Sequence, residues 1–292
     1  MARPSVELPS PGVVFGADFL ARLGRLVARL GSQRERREGD GRARLFGVGS
    51  EFVGYRPYRP GEDLRALDWN LLARLGRPFV RVAAREASED WSVLLDTSAS
   101  MGVGRPGKLQ LAAELATAFA ALGLARRARV ELRLSGSPQG CVLQKRGGLG
   151  AWMRLLESVR AEGRAGLGAA LAALARERGA GRVFLIGDFC DVEPQALLAL
   201  ARPSRELFLA QILAREELVP GRRGAVRWVA AEEDAACEVW VDEASAGRYE
   251  RRLTARIERW RSAAARLRAA HGCWTSDTPF EALVGDLCAG VG

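Results

Sequence analysis

The pattern of hydrophobic and polar positions predicts an α/β protein from residue 91 onwards. Short apolar runs, typical of buried strands, alternate with longer stretches of helical periodicity. The predicted strands are Trp91–Leu95, Arg129–Leu134, Cys141–Gln144, Arg182–Gly187, Glu206–Leu213 and Cys273–Ser276. The predicted helices are Leu109–Ala125, Ala151–Val159, Gly168–Arg178, Pro194–Leu200, Arg248–Ala270 and Pro279–Cys288. This order favours a mostly parallel sheet with helices on both faces.

The same pattern divides the chain into three regions. Residues 1–48 contain an amphipathic helix at Phe15–Leu30 and a charged linker. Residues 49–90 form a turn-rich segment dense in arginine and aromatic residues. Residues 91–292 form the α/β domain, which includes a two-stranded β-excursion near 217–245.

Charge and cysteine content narrow the class of protein. The formal net charge is +9, but acidic residues accompany the arginines along the whole chain and no basic tail emerges, so we expect no nucleic-acid partner. The five cysteines are odd in number and form no close pairs, which favours a reducing compartment and argues against zinc. No apolar run approaches the roughly 20 residues that span a bilayer. We therefore predict a cytoplasmic protein without direct membrane insertion.

Two aspartates follow predicted strands directly. Asp96 follows Trp91–Leu95, with Ser98 and Ser100 two and four residues later, and Asp188 follows the strand that ends at Gly187. Ligands bind at the carboxyl ends of parallel strands, and clustered carboxylate and hydroxyl oxygens suit Mg²⁺ or Mn²⁺. We predict that these four residues form a weak metal site. In the alternative interpretation, the serines only cap a turn and Asp188 anchors a loop.

Lys108 completes a G-x-x-x-x-G-K pattern that begins at Gly102. Leu109 stands where a phosphate-binding loop needs Ser or Thr, so we predict no nucleotide site. We expect Lys108 to begin a helix with its ammonium in solvent, leaving no lysine positioned to neutralise the two aspartates. The single histidine, His271, is predicted to be a cation at a helix C-terminus without a catalytic role.

The segment from Gly49 to Arg74 reads G-S-E-F-V-G-Y-R-P-Y-R-P-G-E-D-L-R-A-L-D-W-N-L-L-A-R. It closely resembles the hallmark of the bacterial domain-of-unknown-function 58 family, approximately E-F-x-x-x-R-x-Y-x-x-G-D-D-x-R-x-I-D-W-x-x-x-A-R. Glu62 replaces the first aspartate of that pattern. The resemblance continues through the Asp96 motif, Lys108 and Asp188, and covers roughly residues 40–290.

The resemblance implies a von Willebrand factor A-like (Rossmann-like) domain. It also implies an adaptor that works with a MoxR-type AAA+ ATPase in protein maturation or stress response. The D-x-S-x-S motif is similar to the metal-ion-dependent adhesion site of such domains, where two serines and a later threonine touch the metal and a partner's Asp or Glu completes it. Ala165 stands at the threonine position, so the implied site is degenerate.

The hallmark residues have two possible roles. They could dock a partner, or they could form an internal polar network, because arginine pairs with carboxylates and stacks on rings. The candidate interaction residues are Arg56, Arg59, Arg65, Asp68, Trp69 and Arg74. We expect a non-enzymatic protein; the alternative is an Mg²⁺-dependent phosphoryl-transfer enzyme that uses Asp96 and Asp188.

Overall fold

The computed structural model describes residues 12–38, 52–58, 69–83, 90–137, 140–144, 146–164, 166–177, 180–202, 205–218, 224–232 and 235–289. The chain divides into two compact units, one made of residues 1–28 and 89–292 and the other of residues 29–88. The helices are α1 (Phe19–Glu38), α2 (Trp69–Leu75), α3 (Lys108–Ala125), α4 (Leu149–Ser158), α5 (Leu167–Arg176), α6 (Arg215–Leu218), α7 (Glu243–Arg266) and α8 (Phe280–Ala289). The strands are β1 (Phe52–Pro57), β2 (Phe79–Ala83), β3 (Asp90–Leu95), β4 (Arg129–Leu134), β5 (Gly140–Leu143), β6 (Ala180–Gly187), β7 (Glu206–Leu213), β8 (Gly224–Val229), β9 (Ala236–Val241) and β10 (Ala270–Thr275).

A six-stranded sheet forms the centre of the larger unit. Its strand order is β10-β7-β6-β3-β4-β5, and every neighbouring pair is parallel except β4 and β5. The prediction of a mostly parallel sheet in an α/β protein is therefore confirmed. Leu95 at the end of β3 lies opposite Leu134 of β4 and Ile186 of β6. The residues that follow these three strands consequently lie at one edge of the sheet.

Helices cover both faces of this sheet. On one face, the ring of Phe184 in β6 stacks between Phe119 of α3 and Phe208 of β7, with ring centroids 4.1 and 4.6 Å away. On the opposite face, Leu185 belongs to a buried cluster that α5 and Trp260 of α7 complete. Alternate residues of β6 thus enter two separate parts of the core, as expected for a strand buried on both sides.

Helix α3 is the central helix of this unit. Gly123 allows close packing, because a Cβ atom there would lie only 2.5 Å from Cγ2 of Val130 in β4. Of the helices in the described ranges, α3 alone is long and apolar enough to cross a membrane, and 78% of its 18-residue window is buried inside the protein.

Helix α7 begins five residues earlier than the predicted Arg248. The Asp242 carboxylate accepts a hydrogen bond from the Ser245 amide at 2.7 Å, and the Ser245 hydroxyl accepts one from the Asp242 amide at 2.9 Å. This reciprocal capping satisfies two amides that a helix start would otherwise leave without partners.

The prediction that His271 is a cation at a helix C-terminus is wrong. His271 lies in β10, and burial, with a smaller effect from the charge of Arg261, lowers its pKa to about 4. The imidazole is therefore neutral at physiological pH and cannot respond to a helix dipole as a cation.

Candidate functional site

The carboxyl ends of β3 and β6 bring the four predicted metal ligands together. The Ser100 hydroxyl donates to Oδ2 of Asp188 at 2.8 Å, and the Oγ atoms of Ser98 and Ser100 lie 3.0 Å apart. Asp96 precedes them in the same loop and donates its own amide to the Ile186 carbonyl of β6 at 2.9 Å. We call these four residues, together with Lys108, Ser135 and Glu217 described below, the strand-end cluster.

Asp96 is buried at the centre of this cluster. Its Oδ1 accepts hydrogen bonds from the Ser98 amide and the Ser135 hydroxyl, both at 3.0 Å, whereas Oδ2 has no partner among the described residues. Burial, and next the charge of Asp188, raise the pKa of Asp96 to about 6. Gly187 makes room for this side chain, because a Cβ atom there would lie 2.7 Å from Cβ of Asp96.

Ser135 belongs to the strand-end cluster but was not predicted. It follows β4 directly, and its hydroxyl accepts a hydrogen bond from the Thr97 amide at 2.9 Å while donating to Asp96. The Thr97 hydroxyl in turn donates to the Ser135 carbonyl at 2.6 Å. The rule that identified Asp96 and Asp188, a polar residue directly after a predicted strand, would also have identified Ser135.

The environment of Lys108 differs most from the one predicted from the sequence. Its side chain is 0% exposed, and Nζ lies 2.7 Å from Oδ2 of Asp188 and 2.8 Å from Oε1 of Glu217. The expectation of an ammonium in solvent is wrong, and so is the premise that no lysine neutralises the aspartates. Burial alone would lower the pKa of Lys108, but the two carboxylates outweigh burial and raise it.

Asp188 is held as a carboxylate by several donors. Lys108 and Ser100 both donate to Oδ2, and the Cys190 amide donates to Oδ1 at 2.9 Å. Burial alone would raise the pKa of Asp188, but the Lys108 charge and these hydrogen bonds hold it below its usual value. The two aspartates of the cluster are thus shifted in opposite directions, because only Asp188 contacts the cation.

Glu217 of α6 is the second carboxylate on Lys108. Its Oε2 accepts a hydrogen bond from the Ala214 amide at 2.6 Å, and its carbonyl accepts one from the Tyr249 hydroxyl at 2.7 Å. No local sequence pattern indicates this contact, because Glu217 is 109 residues from Lys108 in the chain. Its side chain is 23% exposed, so the cluster reaches solvent here.

The threonine position of the implied adhesion site, Ala165, lies outside the described residues. The flanking segment does lie beside the Asp96 loop. The Ala99 amide donates to the Gly163 carbonyl and the Glu162 amide donates to the Thr97 carbonyl, both at 3.1 Å.

The residues present do not fit a divalent cation in this arrangement. The Lys108 ammonium already occupies Oδ2 of Asp188, and Mg²⁺ would need that oxygen at about 2.0 to 2.1 Å in octahedral geometry. Within the described ranges, no group of three or more His, Cys, Asp or Glu residues could hold a metal ion. Binding of Mg²⁺ or Mn²⁺ remains a prediction from the sequence.

Only three of the hallmark candidates lie within the described residues. Arg56 is in β1, opposite Val80 of the antiparallel strand β2. Trp69 begins α2, and Arg74 in its last turn is exposed. Arg59, Arg65 and Asp68 lie outside the described residues. The choice between a docking surface and a polar network therefore remains a prediction.

Residues 54–259 match the family described as "Protein of unknown function DUF58". The chain belongs to the DUF58 family. The matched range covers most of the hallmark segment and all of the strand-end cluster, from Asp96 to Glu217.

Several proteins are similar to parts of this DUF58 chain. Uncharacterized proteins of Mycobacterium tuberculosis and Mycobacterium bovis are 44% identical over 68 residues, which is 23% of this chain and 21% of theirs. The match therefore spans about a fifth of those relatives' length. A conserved hypothetical protein, BatB, of Bacteroides thetaiotaomicron is 12% identical over 70% of this chain and 98% of its own, with a TM-score of 0.43. An aerotolerance-related membrane protein of Bacteroides fragilis is 16% identical over the same shares, with a TM-score of 0.38.

We predict that Asp96→Asn changes how stability depends on pH. A carboxyl whose pKa is raised from its unfolded value to about 6 stabilises the fold below the unfolded pKa, and this contribution is lost as the pH rises through 6. Asparagine has no such titration, so the variant should gain about 2 to 3 kcal/mol of unfolding free energy relative to the parent between pH 4 and pH 7. Urea unfolding across that range measures this gain.

Asp18→Asn is the matched control, because the Asp18 side chain is 72% exposed. At neutral pH its free energy of unfolding should lie within about 0.5 kcal/mol of that of the parent, as is usual for a surface substitution. Parallel curves for the parent and Asp96→Asn would contradict the raised pKa of Asp96.

Proposed function

We propose that this chain is a non-enzymatic protein-interaction module that serves a MoxR-type AAA+ ATPase as an adaptor in protein maturation or stress response. The observation that carries the proposal is the hairpin of β8 and β9, whose large apolar side chains are exposed. Trp240 is 70% exposed and Trp228 45%, with Val229 and Val239 also at the surface. Exposed apolar groups of this kind are typical of interaction sites, and tryptophan often contributes most to binding.

The hairpin is connected to the strand-end cluster. The ring of Trp228 meets the ring of Tyr249 edge-on, with centroids 6.4 Å apart, and the Tyr249 hydroxyl donates to the Glu217 carbonyl. The exposed hairpin therefore flanks the edge of the sheet where ligands of parallel α/β domains bind. This proximity supports a partner surface that includes both features.

The chemistry at Asp188 favours binding over catalysis. Asp188 is paired with Lys108 and its pKa is lowered, so it is a weak base for Ser100. His271 lines a separate cavity with Trp274 and Asp286. Asp188 is therefore not an effective base for Ser100, and the enzyme alternative rests chiefly on Asp96, whose pKa is raised and which accepts a hydrogen bond from the Ser135 hydroxyl.

The partner follows from the resemblance to the family rather than from the geometry. We propose a cytoplasmic MoxR-type ATPase that presents an exposed Asp or Glu, with no nucleic acid in the assembly. Arginines of the hallmark segment would attract such an acidic surface and raise the association rate at low salt.

Surface plasmon resonance with a MoxR-type AAA+ ATPase from the same organism tests the proposal. Trp240→Ala should raise the Kd by about tenfold or more, the usual effect of removing a central tryptophan. Leu198→Ala is the control, since Leu198 is also exposed but lies in the short 3-10 helix Pro194–Ala199. Its Kd should stay close to that of the parent protein.

The result that would contradict the adaptor role is no binding by the parent protein. An unchanged Kd for Trp240→Ala would show that the hairpin is not the docking surface.

A panel of phosphatase and nucleotidase assays tests the enzyme alternative separately. Mg²⁺-dependent turnover that Asp96→Ala abolishes would overturn the proposal in favour of phosphoryl transfer.

A further inference from the structure

The ammonium of Lys108 contacts Asp188, one of the four metal ligands predicted from the sequence. It contacts Oδ2 of Asp188 at 2.7 Å, and Ser100 donates to that same oxygen at 2.8 Å. Ser98 Oγ lies 3.0 Å from Ser100 Oγ, so the two serines and Asp188 form one hydrogen-bonded set of oxygens, and a cation contacts the Asp188 oxygen of this set. That cation is a group of the chain itself.

Lys108 is placed there by its position in the fold. It is the first residue of α3, the helix that follows the Asp96 loop, and its side chain is 0% exposed. A cation at the N-terminus of a helix is opposed by the helix dipole, and a buried cation must be paired. Two carboxylates meet both requirements here, since Asp188 and Glu217 each lie within 2.8 Å of Nζ.

Glu217 is held in position by other groups and not by Lys108 alone. Its second oxygen accepts the Ala214 amide at 2.6 Å, and its carbonyl accepts the Tyr249 hydroxyl. The carboxylate therefore faces Lys108 at a smaller entropy cost than in an ion pair between two mobile surface side chains. The ammonium of Lys108 is therefore paired with two carboxylates, that of Asp188 directly after β6 and that of Glu217 in α6.

A divalent cation would have to displace this arrangement. Mg²⁺ and Mn²⁺ would compete with the ammonium for Oδ2 of Asp188, and a buried positive charge beside a second one is strongly disfavoured. The remaining oxygens are two serine hydroxyls and Asp96, whose Oδ1 accepts from Ser98 and Ser135 and whose Oδ2 has no partner among the described residues.

We infer that Lys108 is the resident cation of the strand-end cluster, with Asp188 and Glu217 as its two carboxylates, and that it takes the place of a divalent metal. The site is then complete without Mg²⁺ or Mn²⁺. Removing the ammonium would turn the same oxygens into a metal site. The inference goes beyond the proposed function, because it concerns cation binding and requires no partner.

Titration with Mn²⁺, followed by the loss of the electron paramagnetic resonance signal of the free ion, tests this. The parent protein should show no saturable binding, and its melting temperature should be the same in EDTA and in Mn²⁺. Lys108→Met should melt lower in EDTA. It should bind Mn²⁺ at least tenfold more tightly than the parent, with a melting temperature about 5 °C or more higher at one hundred times its Kd.

Lys145→Met is the matched control, because Lys108 and Lys145 are the only lysines in the chain. It should behave as the parent does. Saturable binding of Mn²⁺ or Mg²⁺ by the parent would overturn the inference, as would a Lys108→Met protein that binds Mn²⁺ no better than the parent. If Lys108→Met does not fold, the parent and Lys108→Gln are compared by the same criteria. Failure of this inference would not contradict the proposed adaptor function, because the binding of the ATPase is measured separately.

Discussion

Lys108→Met should lower the free energy of unfolding by about 3 to 5 kcal/mol, the usual cost of breaking a buried ion pair by removing one partner. The variant leaves the Asp188 carboxylate, which is 1% exposed, without the cation that it contacts at 2.7 Å. Hydrogen bonds from Ser100 and the Cys190 amide remain, but they do not supply a compensating charge. Urea unfolding at neutral pH, without added metal, measures the loss.

A double-mutant cycle separates this pair from the general cost of altering the core. Lys108→Met combined with Asp188→Asn removes both charges, so the double variant should lose less than the sum of the single losses. The control pair is Arg259 and Glu193, whose atoms lie 3.2 Å apart with both side chains more than half exposed. Arg259→Met should cost about 0 to 1 kcal/mol. Additive losses for Lys108 and Asp188 would contradict a coupled pair.

Phe184→Ala should destabilise the larger unit by a similar amount, about 3 to 5 kcal/mol, as is usual for removing a core phenylalanine. Phe184 lies in the centre of the sheet and contacts the rings of Phe119, Phe208 and Trp91, with centroids 4.1, 4.6 and 5.2 Å away. The substitution leaves a cavity that strands on both sides prevent from closing. Thermal and urea unfolding both report the loss.

Val142→Ala provides the comparison for Phe184→Ala. Val142 lies in β5 at the sheet edge and is 45% exposed, so its removal should cost much less than 1 kcal/mol. Equal losses for the two variants would contradict the assignment of Phe184 to the central core.

The sheet could be predicted because its strands have clear local patterns. The bounds of β4 and β7 agree with the predictions, since β4 alternates buried and partly buried positions and β7 is an almost continuous buried run. Helix α7 and strand β10 were less accurately predicted. The helix start depends on the reciprocal bonds of Asp242 and Ser245, which do not follow the usual Ser/Thr-x-x-Glu pattern.

In the candidate site, only the residues that come directly after a strand or in the loop that follows it were predicted from the sequence. Asp96 and Asp188 are the first residues after two apolar runs, and neighbouring parallel strands bring them together. The position of Lys108 could not be predicted in the same way. Its burial depends on Glu217, which reaches it from another part of the chain, and a lysine at a helix start is ordinarily solvated.

Nuclear magnetic resonance of protein labelled with ¹⁵N-lysine tests whether the Lys108 ammonium is the resident cation of the strand-end cluster. With only two lysines in the chain, Lys108→Met and Lys145→Met assign the signals. We expect a Lys108 Nζ signal whose protons exchange slowly with solvent at neutral pH. Mg²⁺ should leave this signal unchanged, and Asp188→Asn should shift or remove it. A Lys108 ammonium that exchanges as fast as a solvated lysine, or a signal that Mg²⁺ displaces at low concentration, would contradict this expectation.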